Sequence, residues 1–269
     1  MIENWKLPLV LTTFAGLATI FGGFVTFFVK KNNLKVLSLG LGFSAGVMIF
    51  VSLTEILTTA QEMLKTYYPV KYHWILFAGF IAGVVISKLI DEFIPDHVEE
   101  QDFKEMCEPD DEKCQRQHKI KRAGLLTAVA IAIHNFPEGL GTFLVSTQDM
   151  AIGASVAFAI ALHNIPEGIA VALPIYHATG KKRLAIWYSF WTGITEPIGA
   201  IIGLIILQFI LPNVFIGLSM AAVVGIMIYI SFDTLLPLSH EYGDWHYAIG
   251  GVMSGMIVIW ASLLLLNGY

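Results

Sequence analysis

The chain has few charged residues and almost no cysteine. Only 14% of its 269 residues are charged, whereas a soluble domain carries about 25%. Two cysteines cannot build a disulfide framework. The net charge of −5 lacks the basic excess that nucleic-acid binding requires. These shortages argue against a soluble globular enzyme, a disulfide-rich secreted domain and a nucleic-acid partner.

Apolar residues are present in long runs instead, and they make up 56% of the chain. A membrane-spanning helix needs roughly 20 predominantly apolar residues, and strands of outer-membrane barrels are much shorter. The sequence therefore predicts an all-α polytopic membrane protein, a single transmembrane transport domain over residues 1–269 in the cell membrane. The eight predicted spans lie near residues 8–29, 35–60, 73–95, 123–146, 150–177, 184–208, 213–239 and 247–267.

Lysine and arginine are distributed unequally between the two sides of this arrangement. Twelve of the sixteen fall in connections on one side and three on the other, while Lys88 lies within a span. Because basic residues accumulate in cytoplasmic loops, we expect both termini outside and the charged loop 96–122 in the cytoplasm. That loop contains Cys107 and Cys114, whose spacing is not a standard zinc motif. The sequence leaves open whether it senses metal or is a solvated linker.

Two internal repeats are visible. The segment His-Asn-x-Pro-Glu-Gly occurs at residues 134–139 in span 4 and again at residues 163–168 in span 5. Residues 46–57 in span 2 also match residues 225–236 in span 7, and these two spans run in opposite directions in the expected topology. Inverted repeats are typical of secondary transporters, whose site lies near the middle of the bilayer.

Five acidic residues fall inside the predicted spans, although a charge in hydrocarbon costs a few kcal/mol or more. The only basic residue in a span, Lys88, lies near a span end, where its side chain can reach the interface. A divalent cation would supply the missing positive charge. The acidic residues are Glu55, Glu138, Glu167, Glu196 and Asp233.

The spacing of the polar residues predicts where such a cation binds. In each motif the histidine precedes the glutamate by four residues and the asparagine precedes it by three, so they share a helix face. The short turn near residues 148–149 brings both motifs to one depth. Imidazole and oxygen ligands without thiolate favour Zn, Fe, Mn, Co or Ni over Cu(I), Mg or Ca. The expected ligands, for one ion or two bridged ions, are His134, Asn135, Glu138, His163, Asn164 and Glu167.

The paired motifs, in consecutive spans of an eight-span chain, resemble those of the ZIP family of divalent metal transporters, in particular its bacterial ZupT-like branch. The resemblance implies import of Zn²⁺, often with Fe²⁺, Mn²⁺, Co²⁺ or Cd²⁺, into the cytoplasm. It also implies a 3+2+3 arrangement of spans and no prosthetic group, since the metal is the transported substrate. By similarity, Glu196 and the asparagines Asn135 and Asn164 would complete a second site that shares Glu138 and Glu167.

Four further residues are candidates for the transport pathway. Glu55 and Asp233 occupy adjacent positions of the repeat in spans 2 and 7, and His177 and His240 lie near span ends on the expected cytoplasmic side. From the repeats we expect alternating access. The residues by themselves leave two alternatives open, an intramembrane metalloenzyme and a proton-coupled carrier of another cation. They also leave open metal preference, energy coupling and whether the chain forms a homodimer.

Overall fold

The computed structural model describes residues 5–30, 33–93, 111–148, 150–206 and 212–266. Every regular element in these ranges is helical, which confirms the expected all-α polytopic protein. The α-helices are α1 (Lys6–Phe24), α2 (Leu34–Val51), α3 (Leu57–Tyr67), α4 (Tyr72–Phe93), α5 (Glu112–Gln148), α6 (Met150–Thr179), α7 (Lys182–Ile206), α8 (Pro212–Ile230), α9 (Leu236–Tyr242) and α10 (Trp245–Leu266).

Helix ends follow local capping rules. The side chain of Asn33 accepts a hydrogen bond from the backbone N–H of Val36 at the start of α2. Asp111 does the same for α5 and Asp244 for α10. These caps satisfy N–H groups that have no partner within the helix. Between α6 and α7 the chain turns through Gly180 at φ 73°, a conformation that glycine adopts without steric cost.

Seven helical stretches of the described chain are long and apolar enough to cross a membrane. α2 and α3 form one of them, Leu34–Tyr67. α7 is a long helix outside these seven stretches, and its 25 residues also suffice to span the hydrocarbon. Its hydropathy is lower because it carries Thr192, Thr195 and Glu196 within its apolar part.

The boundary of the long charged loop differs from expectation. We expected a loop over residues 96–122, but α5 begins at Glu112, so residues 112–122 are helical. Polar residues such as Lys, Arg, Gln and Glu are good helix formers, and an apolar window does not detect a helix that continues into water. Residues 96–110 of the expected loop lie outside the described residues.

The helices pack in two groups. α1, α5, α6 and α7 form what we term the motif bundle, because α5 and α6 carry the two repeated motifs. The other helices form the flanking bundle. In the motif bundle α1 packs on α6 as α7 packs on α5, and in the flanking bundle α2 packs on α10 as α4 packs on α8. This pairwise exchange of partners is the pattern expected of an internal two-fold relation between the first and second halves of the chain.

Matching π-helical turns mark the repeat in the flanking bundle. Ser52–Ile56 joins α2 to α3, and Ser231–Leu235 joins α8 to α9. Each turn starts at the corresponding serine of the sequence repeat and contains one of its acidic residues, Glu55 or Asp233. π-Turns are rare in proteins overall, but those that occur often lie at functional sites. Their occurrence at corresponding positions therefore favours a real inverted repeat over a chance match of aliphatic residues.

Candidate metal centre

The four charged or titratable residues of the two motifs lie together in the interior. His134 and Glu138 project from α5, and His163 and Glu167 project from α6. None is more than 1% exposed. One ligand atom from each of His134, Glu138 and Glu167 lies within 4.8 Å of the other two. The hairpin of α5 and α6 therefore brings the motifs to one depth.

The histidines pair with the carboxylates of the opposite helix. His134 Nε2 lies 3.0 Å from Glu167 Oε1, and His163 Nε2 lies 3.5 Å from Glu138 Oε2. Within α6, His163 Nε2 is 3.9 Å from Glu167 Oε1. The i to i+4 spacing thus places the side chains on one face, but the shortest contacts cross between the helices and join both motifs into a single cluster.

Backbone carbonyls of the neighbouring helices α7 and α1 hold the two asparagines. Asn135 Nδ2 donates to the carbonyl of Thr192 on α7 at 3.2 Å. Asn164 Nδ2 donates to the carbonyl of Ala15 on α1 at 2.7 Å. A backbone carbonyl can only accept a hydrogen bond, so each asparagine must turn its side-chain nitrogen toward the neighbouring helix, α7 or α1. The oxygen Oδ1 of each asparagine is buried without a partner among the described residues, free to bind a cation.

Glu196 reaches the same centre from α7. Its side chain is fully buried, and its Oε1 accepts a short hydrogen bond from Asn164 Nδ2. Its other oxygen, Oε2, has no partner within the described chain. The structure therefore buries all seven of the expected metal-site residues, and it brings Glu196, on a helix outside the motifs, into contact with the second motif.

The glycine that ends each motif is a functional position that the sequence reasoning missed. A Cβ on Gly139 would overlap the backbone carbonyl of Glu196 on α7, and a Cβ on Gly168 would overlap that of Thr19 on α1. These glycines let α7 and α1 approach closely enough to hold the asparagines and Glu196. The sequence signal for them is that glycine occupies the same position in both copies of the motif.

The cluster contains more acidic side chains than imidazoles. The carboxylates of Glu138, Glu167 and Glu196 are fully buried, and the ion pairs of Glu138 and Glu167 within the described chain are with histidines. Lys88 instead lies near the surface and pairs with Glu92 at 3.8 Å. Both oxygens of Glu138 and the Nδ1 atom of His134 accept or donate no hydrogen bond among the described residues. Burying such groups is costly unless a cation compensates them.

A cavity of about 170 Å³ leads to the cluster from one side. Its walls come from both bundles, with Glu138 and His163 at the cluster and Glu55 and Thr59 further along. Glu55 is half-buried on the π-turn between α2 and α3. The structure therefore places this predicted pathway residue in a cavity that two of the predicted ligands also line.

The other three pathway candidates lie away from the cluster. Asp233 lines a separate pocket of about 270 Å³ with Lys119, Arg122 and Glu241, and this pocket shares no lining residue with the cavity at Glu55. His177 is buried on α6 and its ring lies edge-on to Tyr176 at 5.9 Å.

His240 is exposed on α9 and lies edge-on to Trp245 at 5.0 Å. Neither His177 nor His240 lines the cavity at Glu55, so their roles stay predictions.

Long apolar helices around a buried centre of acidic, imidazole and amide side chains are typical of membrane transport proteins. The family model of the ZIP zinc transporters matches residues 91–262, and the chain belongs to this family. It is therefore a transporter rather than an enzyme, and a multi-pass protein of the cell membrane. This confirms the resemblance that the paired motifs indicated.

Similar proteins cover nearly the whole chain. It is 48% identical over 266 residues to the zinc transporter ZupT of Streptococcus mutans serotype c, covering 98% of this chain and 99% of that protein. It is 49% identical over 272 residues to the zinc transporter ZupT of Nitratidesulfovibrio vulgaris, covering 97% and 98%. The zinc transporter ZupT of Clostridium perfringens is 45% identical over 277 residues, covering 98% and 97%.

Proposed function

We propose that this protein imports Zn²⁺ into the cytoplasm, with Fe²⁺, Mn²⁺, Co²⁺ and Cd²⁺ as further substrates. Relatives named zinc transporters and nearly the same length as this chain support zinc as the principal ion. The donor set supports the wider group, because imidazole and carboxylate ligands without thiolate suit borderline divalent metals and bind them with moderate strength. A transporter needs that moderation in order to release its cargo.

One observation carries the proposal: three buried carboxylates, of Glu138, Glu167 and Glu196, converge with two imidazoles. Zinc binds nitrogen and oxygen ligands at about 2.0–2.2 Å, so neighbouring ligand atoms in a tetrahedral site are about 3.4 Å apart. The distances between imidazole nitrogens and carboxylate oxygens, 3.0, 3.5 and 3.9 Å, bracket that value. A zinc ion therefore fits the cluster with small side-chain movements.

We propose two adjoining ion positions. His134, Glu138, His163 and Glu167 hold the first ion. The free oxygens of Asn135 and Asn164, together with Glu196, extend the cluster toward α7 and provide the second, with Glu138 and Glu167 bridging both. Support comes from the buried oxygens of these three side chains that have no partner within the described chain.

In this proposal the cavity at Glu55 is the entrance and the side of Asp233 is the exit. The excess of Lys and Arg on the Asp233 side supports this direction, since that side is then cytoplasmic. Glu55 attracts the ion and passes it to Glu138 and His163, which line the same cavity. Asp233, and beyond it His177 and His240, receive the ion on release.

Transport then proceeds by alternating access, with the motif bundle moving against the flanking bundle. The entrance cavity has walls from both bundles, so relative movement closes it. The described conformation connects the centre to the Glu55 side. Rocking or sliding of one bundle is the common way in which inverted-repeat transporters expose a fixed site alternately.

The test is zinc uptake into proteoliposomes by Glu138→Gln and Glu167→Gln. Each substitution keeps the shape of the side chain but removes a negative ligand, and we expect uptake to fall by roughly tenfold or more. Glu62→Gln is the matched control because Glu62 is exposed on α3, and it should transport like wild type. Zinc uptake at the wild-type rate by both motif variants would refute the proposal.

Competition by unlabelled Fe²⁺, Mn²⁺, Co²⁺ and Cd²⁺, with and without a proton gradient, ranks the ions. It also tests the alternative of a proton-coupled carrier for another cation. That alternative gains if none of these metals competes while a proton gradient drives uptake of a different cation.

Thermal stability separates loss of binding from loss of folding. A ligand at 100 times its dissociation constant stabilises the native state by about 2.7 kcal/mol, so Zn²⁺ should raise the melting temperature of the wild-type protein. Glu138→Gln should melt normally without metal and respond weakly to Zn²⁺. An unchanged response to Zn²⁺ would place the ion elsewhere.

A further inference from the structure

A basic groove lies where the end of α1 meets the start of α7, away from the metal centre. It has a volume of about 900 Å³. Three consecutive cations, Lys181, Lys182 and Arg183, form one wall, directly after the Gly180 turn. Apolar side chains form the rest, namely Phe27, Leu184 and Trp187.

Within the part of the chain that the structure describes, the cations of this groove form no ion pair with a carboxylate. The sequence contains no Asp or Glu between residues 4 and 54 or between residues 168 and 195, the two segments that meet here. Within the described chain, Lys182 instead lies over the rings of Phe27 at 5.2 Å and Tyr176 at 5.8 Å. Cations in the first turn of a helix are also repelled by its dipole. Among the described residues the groove therefore carries an excess of positive charge.

The apolar side of the groove is open to the surroundings. Trp187 is 54% exposed and Phe27 is 53% exposed, and the neighbouring Phe28 is 88% exposed. Aromatic side chains of this kind collect at the level of the lipid headgroups. The distribution of Lys and Arg places this end of the molecule at the cytoplasmic leaflet, where anionic lipids are concentrated.

We propose that the groove is a binding site for one anionic phospholipid, with the headgroup phosphate held by Lys181, Lys182 and Arg183. An acyl chain then lies along Phe27, Leu184 and Trp187. Basic residues between membrane helices on the cytoplasmic side bind acidic headgroups, and the ring contacts of Lys182 hold its ammonium group in place beforehand. The site joins α1 to α7 within the motif bundle. It does not depend on the proposed zinc function.

The experiment is a titration of the full-length purified protein with phosphatidylglycerol or phosphatidylcholine, followed by native mass spectrometry. We expect the first phosphatidylglycerol to bind at a lower concentration than phosphatidylcholine. Each single substitution, Lys181→Gln, Lys182→Gln or Arg183→Gln, should weaken that first binding about fivefold. Melting temperature in phosphatidylcholine alone checks that the variants fold.

The control removes three cations from the same expected side but outside the groove, through Lys35→Gln, Arg116→Gln and Lys121→Gln in one protein. It should bind phosphatidylglycerol like wild type. The groove triple variant combines Lys181→Gln, Lys182→Gln and Arg183→Gln in one protein. Equal losses of binding in this variant and in the control would mean general surface attraction and overturn the proposal. Displacement of the lipid by inorganic phosphate at similar concentration would make the groove a free-phosphate site, and unchanged binding in the groove variants would also refute it.

Discussion

The asparagines show how a single side chain serves both structure and binding. Asn164 donates to the carbonyl of Ala15 on α1 and to Glu196 on α7, while its oxygen is buried without a hydrogen-bond partner among the described residues. It therefore joins three helices at the point where the ion is proposed to bind. A satisfied buried amide stabilises the fold, whereas an unsatisfied acceptor beside a carboxylate invites a cation.

We predict that Asn164→Ala weakens zinc transport more than it weakens the fold. Loss of the amide removes one oxygen ligand and releases Glu196, so the KM for Zn²⁺ should rise about tenfold or more. The broken hydrogen bonds should lower the free energy of unfolding by about 1–3 kcal/mol. Uptake kinetics and thermal melting measure both. Asn33→Ala, which removes a cap on α2, is the control, and it should leave the KM unchanged.

An equal KM for wild type and Asn164→Ala would show that the amide has a packing role only. The control Asn33→Ala then shows whether a loss of stability alone changes the KM, because both variants lose hydrogen bonds between a side chain and the backbone.

At the scale of the helices, close approach decides where the ligands lie. Gly139 permits contact between α5 and the carbonyl of Glu196, so the same residue that ends the first motif also positions the ligand from α7. Gly168 permits the equivalent contact of α6 with α1. Membrane helices commonly use small residues to approach each other in this way.

We predict opposite effects of Gly139→Ala and Gly250→Ala. A methyl group at Gly139 pushes α7 away and should destabilise the protein by about 1–3 kcal/mol while reducing zinc uptake. No atom lies within 4 Å of a Cβ built on Gly250, so alanine there should be neutral or stabilise α10 by up to about 1 kcal/mol. Melting temperature and uptake test the pair, and equal behaviour of the two variants would contradict this view of the interface.

At the scale of the whole molecule, one ion pair links the two bundles on the expected cytoplasmic side. Lys119 on α5 lies 2.8 Å from Glu241 on α9, beside the pocket that contains Asp233. Both side chains are well exposed, so the pair itself adds little stability. Its importance is its position, because movement of the bundles that opens this side must separate the two residues.

We predict that a short cross-link between cysteines at positions 119 and 241 blocks zinc uptake. The natural Cys107 and Cys114 are first replaced by serine, and a reducible linker allows uptake to be measured before and after reduction. Transport should stop when the link forms and return when it is cleaved. Full transport by the cross-linked protein would rule out relative movement of the bundles.

A cysteine pair at positions 35 and 247 is the matched control for the same linker. Lys35 on α2 lies 5.3 Å from the ring of Tyr247 on α10, and both helices belong to the flanking bundle. A link within one bundle should leave uptake intact. If it also blocked transport, the linker rather than the restriction of bundle movement would be responsible.

Much of the centre was predictable from residue order. The motifs at 134–139 and 163–168 lie in two long apolar runs joined by a short turn, and that arrangement dictates an antiparallel hairpin with both motifs at one depth. The exchange of partners, with His134 on Glu167 and His163 on Glu138, was not predictable. It depends on the rotation of α5 against α6, which spacing along one helix does not contain.

Residue order was enough to predict the membrane helices, the excess of buried acidic residues and the candidate ligands, because hydropathy and helical periodicity are local properties. The packing of the helices was needed to show that Glu196 meets Asn164 and that Glu55 and not Asp233 shares a cavity with the cluster. The structure was also needed to show that α5 begins at Glu112. Each of these depends on contacts between helices far apart in the chain or on a polar helix beyond the apolar runs. Neither contacts between distant helices nor a polar helix leaves a periodic signal of apolar residues in the sequence.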